Sequence, residues 1–406
     1  AAGFAALRSA AGTLLAAAGT AVLLALLDDR SAAWAGLAVM ATLPLAGVSS
    51  LVVLAHARLR PDITAGLSLG QSVLWLATAV LVAGFEGGLG WYGAAFLACA
   101  IAQSGVTWLI VARPEPPAWA RWRAAGRWIV RRSWPLAVAG ALVTVYYRLD
   151  GVLVFRWAGP AEAGFYAAAY RFLDVIQLVP AALAGVVLPV LARSWAVGDR
   201  DRMDRVLRLA VTLAVTAAIP VSVGSLLVGD RLAVAVFGAP FAEAGEVLSV
   251  LGLAFLSIAV GYLYSSVLVA TGRVGVVAVV SGVAAVGSVA ADAMVIPRWG
   301  AVGAAWVTVG VEYLVSSSLA LWLHFKYRLR FLPWDRLRRV TLAAAVMAAV
   351  TWALRDGPVV FVVAAAATTY MVTAAALGVV TRDEIRGLTD RRLPLGAPAP
   401  VETEPG

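Results

Sequence analysis

The chain alternates long apolar runs with short polar or basic ones. Runs of roughly 20 apolar residues, enough to cross about 30 Å of hydrocarbon, predict helices near 9–27, 33–55, 63–84, 91–112, 134–157, 162–191, 209–229, 246–269, 274–296, 301–323, 340–355 and 358–380. Twelve spans define an all-α, polytopic membrane protein. The pattern is disturbed most between Trp134 and Arg193, where Arg148, Asp150, Arg171 and Asp174 fall at mid-span depth. A charge at the centre of a membrane helix costs roughly 2.5 to 3.5 kcal/mol on insertion scales. Four of them require mutual pairing or contact with water.

Composition agrees with the pattern: 62% of residues are hydrophobic and 14% charged, far from a soluble domain. The excess positive charge is a topology signal. With the start of the chain cytoplasmic, 25 of the 32 Lys and Arg fall on inner segments, four (Arg30, Arg231, Arg298, Arg355) on outer ones, and Arg148, Arg156 and Arg171 within helices. Basic residues favour the cytoplasmic side, so an even number of spans and two cytoplasmic termini are expected. This accounts for the net +9 without nucleic acid as a partner.

Several chemistries are excluded. Cys99 is the only cysteine and lies in an apolar run, and His56 and His324 are the only histidines, beside basic residues at helix ends. There is no disulfide, zinc motif, phosphate loop or triad. No catalytic residue, cofactor or metal is expected, and the protein is read as a non-enzyme.

A short motif recurs. Gly90-Trp-Tyr-Gly93-Ala-Ala-Phe96 and Gly300-Ala-Val-Gly303-Ala-Ala-Trp306 share Gly-x-x-Gly-Ala-Ala-aromatic, six predicted helices apart. A six-helix repeat would leave the first unit two helices short, and the chain starts with Ala1 rather than Met. Two N-terminal helices are therefore expected to be missing. The implied organisation is an incomplete N-terminal lobe (1–112), a cytoplasmic interfacial linker helix (113–133), a six-helix C-terminal lobe (134–323), two accessory helices (324–380) and a disordered cytoplasmic tail (381–406). The linker carries Trp119, Trp122, Ile129 and Val130 on one face and Arg123, Arg127 and Arg131 on another, which suits a helix among anionic headgroups.

The run Gly164 to Arg171 (GFYAAAYR) resembles the Gly-x-Tyr-x-x-Ala-x-Arg start of helix eight in the bacterial polysaccharide and oligosaccharide flippases of the multidrug/oligosaccharidyl-lipid/polysaccharide exporter superfamily. Pro180 with Leu188 to Arg193, the loop Phe237 to Phe241, and Ile296 to Gly300 with Gly303 to Ala305 resemble further family features in order. The likeness runs from Trp134 to Trp322 and is thin elsewhere. Members usually have fourteen helices in two lobes, so the resemblance also implies two missing at the front.

The resemblance implies transport of a polyprenyl-diphosphate-linked oligosaccharide across a bacterial plasma membrane by alternating access, for cell-surface polysaccharide synthesis. Its partners would be that saccharide, membrane lipids, and a polysaccharide polymerase or glycosyltransferases. Arg148 and Arg171 would face a cavity and bind the diphosphate, since a guanidinium fork matches phosphate oxygens. Asp150 and Asp174 would hold the arginines or take up a coupling proton, with Tyr147, Tyr170, Gln177 and Glu312 completing the site. Asp292 is expected to be hydrated near the outer membrane face. Competing readings are a lipid II flippase, a cation-coupled multidrug exporter, a non-transporting scaffold, and ion pairs of Arg171 with Asp174 or Asp150 that merely hold helices together.

Overall fold

The computed structural model describes residues 2–26, 30–52, 61–112, 148–328 and 334–379. The interfacial linker, Tyr147 and the tail beyond residue 379 lie outside them. Every described element is a helix or a turn, and each predicted span has a helical counterpart. The chain is an all-α, polytopic membrane protein. It folds as two compact units, Ala1–Trp134 and Pro135–Gly406.

In the first unit, α1 (Ala2–Leu26) and α2 (Arg30–Met40) are followed by a bend, a short α3 (Ala46–Ser49) and a 3-10 turn (Ser50–Val52). The continuous helix expected over 33–55 is thus broken. Pro44 removes a backbone donor, the N–H groups of Thr42, Leu43 and Leu45 switch to i to i−3 bonds, and the Ser9 hydroxyl donates to the Pro44 carbonyl at 3.0 Å. Then come α4 (Pro61–Gly84) and α5 (Leu89–Thr107), which ends in a wide turn, Trp108–Ala112. Gly93 lets α5 approach α2, because a Cβ there would come within 2.6 Å of the Ala35 Cα.

The second unit opens with a helix over 148–157 (α6), then α7 (Pro160–Ile176), α8 (Leu178–Ala196) and α9 (Arg200–Phe237). The single helix expected over 162–191 is therefore two, divided at Gln177 just before Pro180. Next are α10 (Ala244–Ala270) and α11 (Val274–Tyr327). At about 1.5 Å per residue, α11 would be far longer than a membrane is thick. It turns at Gly300, whose φ of 55° and ψ of −140° suit glycine. There Glu162 accepts the Ala301 N–H at 2.8 Å and so caps the second half, 301–327. Gly303 repeats the part of Gly93: a Cβ would lie 2.7 Å from Val295 on the preceding half.

The core of this unit is α10, which packs against α7, α8, α9 and α11 and buries Phe255, Ile258, Leu263 and Leu268 almost completely. The last helices, α12 (Trp334–Ala353) and α13 (Val359–Ala376), dock on α9. The Tyr370 hydroxyl donates to Thr216 O at 2.7 Å, and Arg231 reaches the carbonyls of Arg355 and Gly357 in the turn between them. Seven helical segments among the described residues are long and apolar enough to cross a membrane.

Candidate functional site

Helices α6 and α7 form a hairpin around Gly159, and its charges separate onto two sides. On one side Arg148 and Arg171 are both solvent-exposed, with side chains 63% and 76% accessible. They share one acid. Asp174 lies 3.5 Å from Arg148 and, one helical turn along, 3.9 Å from Arg171. Two guanidinium groups on a single carboxylate leave one net positive charge and unused N–H donors. Gln177, the next residue on this face, accepts a long bond of 3.4 Å from the Tyr262 hydroxyl on α10.

Asp150 does not join the arginines. Two residues from Arg148, it points roughly 200° around the helix and is 4% exposed. Its Oδ2 accepts from the Tyr166 hydroxyl at 3.2 Å and from the Thr308 hydroxyl at 3.1 Å. Ser288 stands beside Asp150 and donates to Asp292 Oδ2 at 3.2 Å. Asp292 is completely buried rather than hydrated, and its Oδ1 has no hydrogen-bond partner among the described residues. The two carboxyl groups therefore share a hydroxyl-lined site built from α6, α7 and both halves of α11. Tyr170 stacks obliquely on Tyr166 at 5.4 Å, and its own hydroxyl is buried without a partner among the described residues.

Glu312 is buried on the wall of a separate cavity of about 240 Å³ within the second unit, lined also by Tyr262, Ser265 and Ser281. Tyr262 lines that cavity and also donates to Gln177, so it stands between the cavity and the exposed arginines. The candidate residues thus fall into three places: an exposed cationic face (Arg148, Arg171, Asp174, Gln177), a buried acidic site (Asp150, beside Tyr170) and the Glu312 cavity. Sequence reasoning misses Tyr166, Ser288 and Thr308. The available signal is Ser288 four residues before Asp292, one face of a helix that crosses the membrane. No group of three or more potential metal ligands among His, Cys, Asp and Glu occurs among the described residues.

Comparison with known proteins agrees with this architecture. The MatE family profile matches residues 135–294, and the profile described as polysaccharide biosynthesis protein matches residues 37–195. Among curated relatives, the succinoglycan biosynthesis transport protein ExoT of Rhizobium meliloti is 30% identical over 103 residues, 25% of this chain and 20% of that protein. The probable low-salt glycan biosynthesis flippase Agl15 of Haloferax volcanii is 22% identical over 211 residues, 52% of this chain and 44% of that protein. The chain thus spans less than half the length of either. A solved structure of the lipid II flippase MurJ, inward closed, superposes with a TM-score of 0.72 at 14% identity, covering 87% of this chain and 75% of that one. That likeness concerns the fold. Each profile covers less than half of the chain; together with the named relatives and the shared fold they are consistent with a transporter of the multidrug/oligosaccharidyl-lipid/polysaccharide exporter superfamily.

Proposed function

We propose that the protein is a flippase that carries a polyprenyl-diphosphate-linked saccharide from the cytoplasmic to the outer leaflet of a bacterial plasma membrane, for cell-surface polysaccharide synthesis. Both chain ends would lie in the cytoplasm, on the side where the basic residues concentrate. The relatives named for glycan transport support this class of cargo. One observation carries the reading. Arg148 and Arg171 are exposed although each lies roughly 16 to 18 Å along its helix from the Gly159 turn, deep in the span. Lipid at that depth would be a costly neighbour, whereas water and a diphosphate are good ones. A face of this sign also repels the cationic cargo of a cation-coupled drug exporter.

Coupling belongs to the buried acids in this reading. Asp292 Oδ1 lacks a donor among the described residues, and an unsatisfied buried polar atom costs about 1 to 3 kcal/mol. A proton or an alkali cation taken up between Asp150 and Asp292 removes that cost. Asp292→Asn should leave the protein folded yet make translocation indifferent to an imposed cation gradient.

The main test is translocation of a defined polyprenyl-diphosphate sugar in proteoliposomes by Arg148→Gln and Arg171→Gln. Losing charge-assisted contacts of about 1.5 to 3 kcal/mol predicts a fall of about tenfold or more for each. Wild-type rates in both variants would eliminate the diphosphate site.

A further inference from the structure

The first unit contains a polar chamber of its own. A cavity of about 400 Å³ lies among α1, the broken 41–52 segment, α4 and α5. Two helical stripes face it. On α4 the stripe is Thr64, Ser68 and Gln71, and on α5 it is Phe96, Ala100, Gln103 and Thr107, each at spacings of three or four that keep side chains on one face. Elsewhere α4 presents Leu69, Val73, Leu76 and Val80 as exposed apolar residues, as expected of a helix against lipid. Ser72 and Thr78 on α4 lie off the cavity and bond back to their own helix, whereas Thr64, Ser68 and Gln71 line it.

Part of the lining's hydrogen-bonding capacity is unspent, although the Thr42 hydroxyl donates to the Val39 carbonyl at 2.7 Å. Ser49 and Ser104 bond each other at 3.1 Å and Ser50 bonds the Gly47 carbonyl at 2.6 Å. Thr64 Oγ1 is buried without a partner among the described residues. Gln71, Gln103 and the Arg8 guanidinium at the rim make no side-chain hydrogen bond among the described residues. An amide left dry in hydrocarbon is expensive, so this chamber is built to be filled by something polar. Two amides and several hydroxyls offer donors and acceptors together, which is what a sugar ring requires of its host. Phe96 supplies an apolar ring at the wall, held edge-on by Trp75 at 5.3 Å, for the C–H face of a pyranose. Arg8 adds one positive charge, and the described lining holds no carboxylate. That composition disfavours a cation, and its polarity disfavours an acyl chain. The volume accommodates roughly a mono- or disaccharide.

We propose that this chamber is a saccharide-binding site, and that it receives a sugar unit bearing one anionic group, the phosphate or acidic substituent lying toward Arg8. Under the topology read from the basic residues, Arg8, Ser49, Thr64 and Thr107 all belong to the cytoplasmic ends of their helices. The chamber is then where the sugar portion of an arriving substrate is recognised, apart from the diphosphate contacts at Arg148 and Arg171. This assignment rests on the flippase reading for its physiological ligand, though not for its chemistry.

The test uses the full chain in nanodiscs, with Ser68→Cys introduced as a reporter in the chamber; the native Cys99 is buried. Maleimide labelling of the new cysteine is followed with hexose 1-phosphate, free hexose or inorganic phosphate present. Hexose 1-phosphate should slow labelling about fivefold or more, hexose less, and inorganic phosphate hardly at all. Gln71→Leu with Gln103→Leu, which suits a membrane helix and preserves folding, should raise the hexose 1-phosphate concentration needed for this protection about tenfold, as expected for two lost hydrogen bonds. Arg8→Gln should erase the preference for the phosphorylated sugar. Arg148→Gln should leave protection intact while impairing translocation, so the two sites succeed or fail separately. Equal protection by inorganic phosphate, or none by any probe, would overturn the saccharide site. Were translocation to choose the same lipid-linked sugars with or without the two glutamines, a substrate-recognising role would be overturned as well, whereas soluble hexose phosphate binding without lipid-linked selection would assign the chamber to a free sugar phosphate.

Discussion

Asp174 is the residue whose removal separates an anion site from an ion-pair strut. It sits 3.5 Å from Arg148 and 3.9 Å from Arg171 and is 28% exposed. A phosphate seated on both guanidiniums would stand about 6 Å from this carboxylate, and two unit charges at that distance repel by about 1.4 to 2.8 kcal/mol for an effective dielectric of roughly 40 to 20. The exposure of the arginines favours the lower figure. Asp174→Asn raises the net charge of the trio by one without changing its shape, and should tighten binding of a short-chain polyprenyl diphosphate about tenfold. Thermal stability should scarcely move, since exposed ion pairs are worth about 0 to 1 kcal/mol. Equilibrium binding to the purified protein at about 0.1 M and 1 M salt measures this. The gain should shrink at the higher salt, where the screening length falls from about 10 Å to about 3 Å. Unchanged or weaker binding by a variant that keeps the wild-type melting temperature would refute the placement of the anion on these arginines.

Three further outcomes follow from the packing. Gly300→Ala should destabilise the second unit by about 1 to 3 kcal/mol, because its φ of 55° is strained for alanine and its Cβ would come within 2.6 Å of the capping Glu162; melting in detergent reports it. Gly245→Val should prevent stable folding, since even a Cβ there collides with the Asp230 backbone where α9 and α10 cross, and monodisperse elution from a sizing column would contradict this. Arg231→Ala should release the turn between α12 and α13, seen as faster protease cleavage near Gly357 with translocation retained.

The helices are legible in the sequence because hydrocarbon leaves no alternative to continuous apolar runs. Their breaks are less so. Pro44 and Pro180 are plain to see, but a proline in a membrane helix is compatible with a kink or with a complete break, and neighbouring groups such as Ser9 decide between them. Gly300 stands out through its repeated motif, while its partner Glu162 lies 138 residues earlier and gives no local sign. Depth along a helix is enough to identify four charged positions. Rotation is not written so plainly. Asp292 is close enough to the end of its apolar run to suggest hydration, yet it turns inward and is wholly buried. Ser288, Thr308 and Tyr166 escape notice because single hydroxyls are cheap in membrane helices, and only their convergence on Asp150 and Asp292 distinguishes them.

That convergence also relates the two kinds of charge on the hairpin. Arg148 and Asp150 belong to one short stretch of helix, so they move as a rigid pair: the carboxylate is keyed into Tyr166 and Thr308, and the guanidinium reaches outward to Asp174. A cation drawn between Asp150 and Asp292 changes the forces on the buried side of α6, and any roll of that helix is delivered on the other side as a change in the distance from Arg148 to Asp174. At 3.5 Å that contact is already near the limit of a hydrogen bond, so a displacement of a few tenths of an ångström is enough to release the guanidinium. Asp174 would then hold Arg171 alone. In a transporter of the proposed kind, occupancy of the buried acids and the number of free arginine donors are thereby linked through one turn of helix, with no need for a longer path between them.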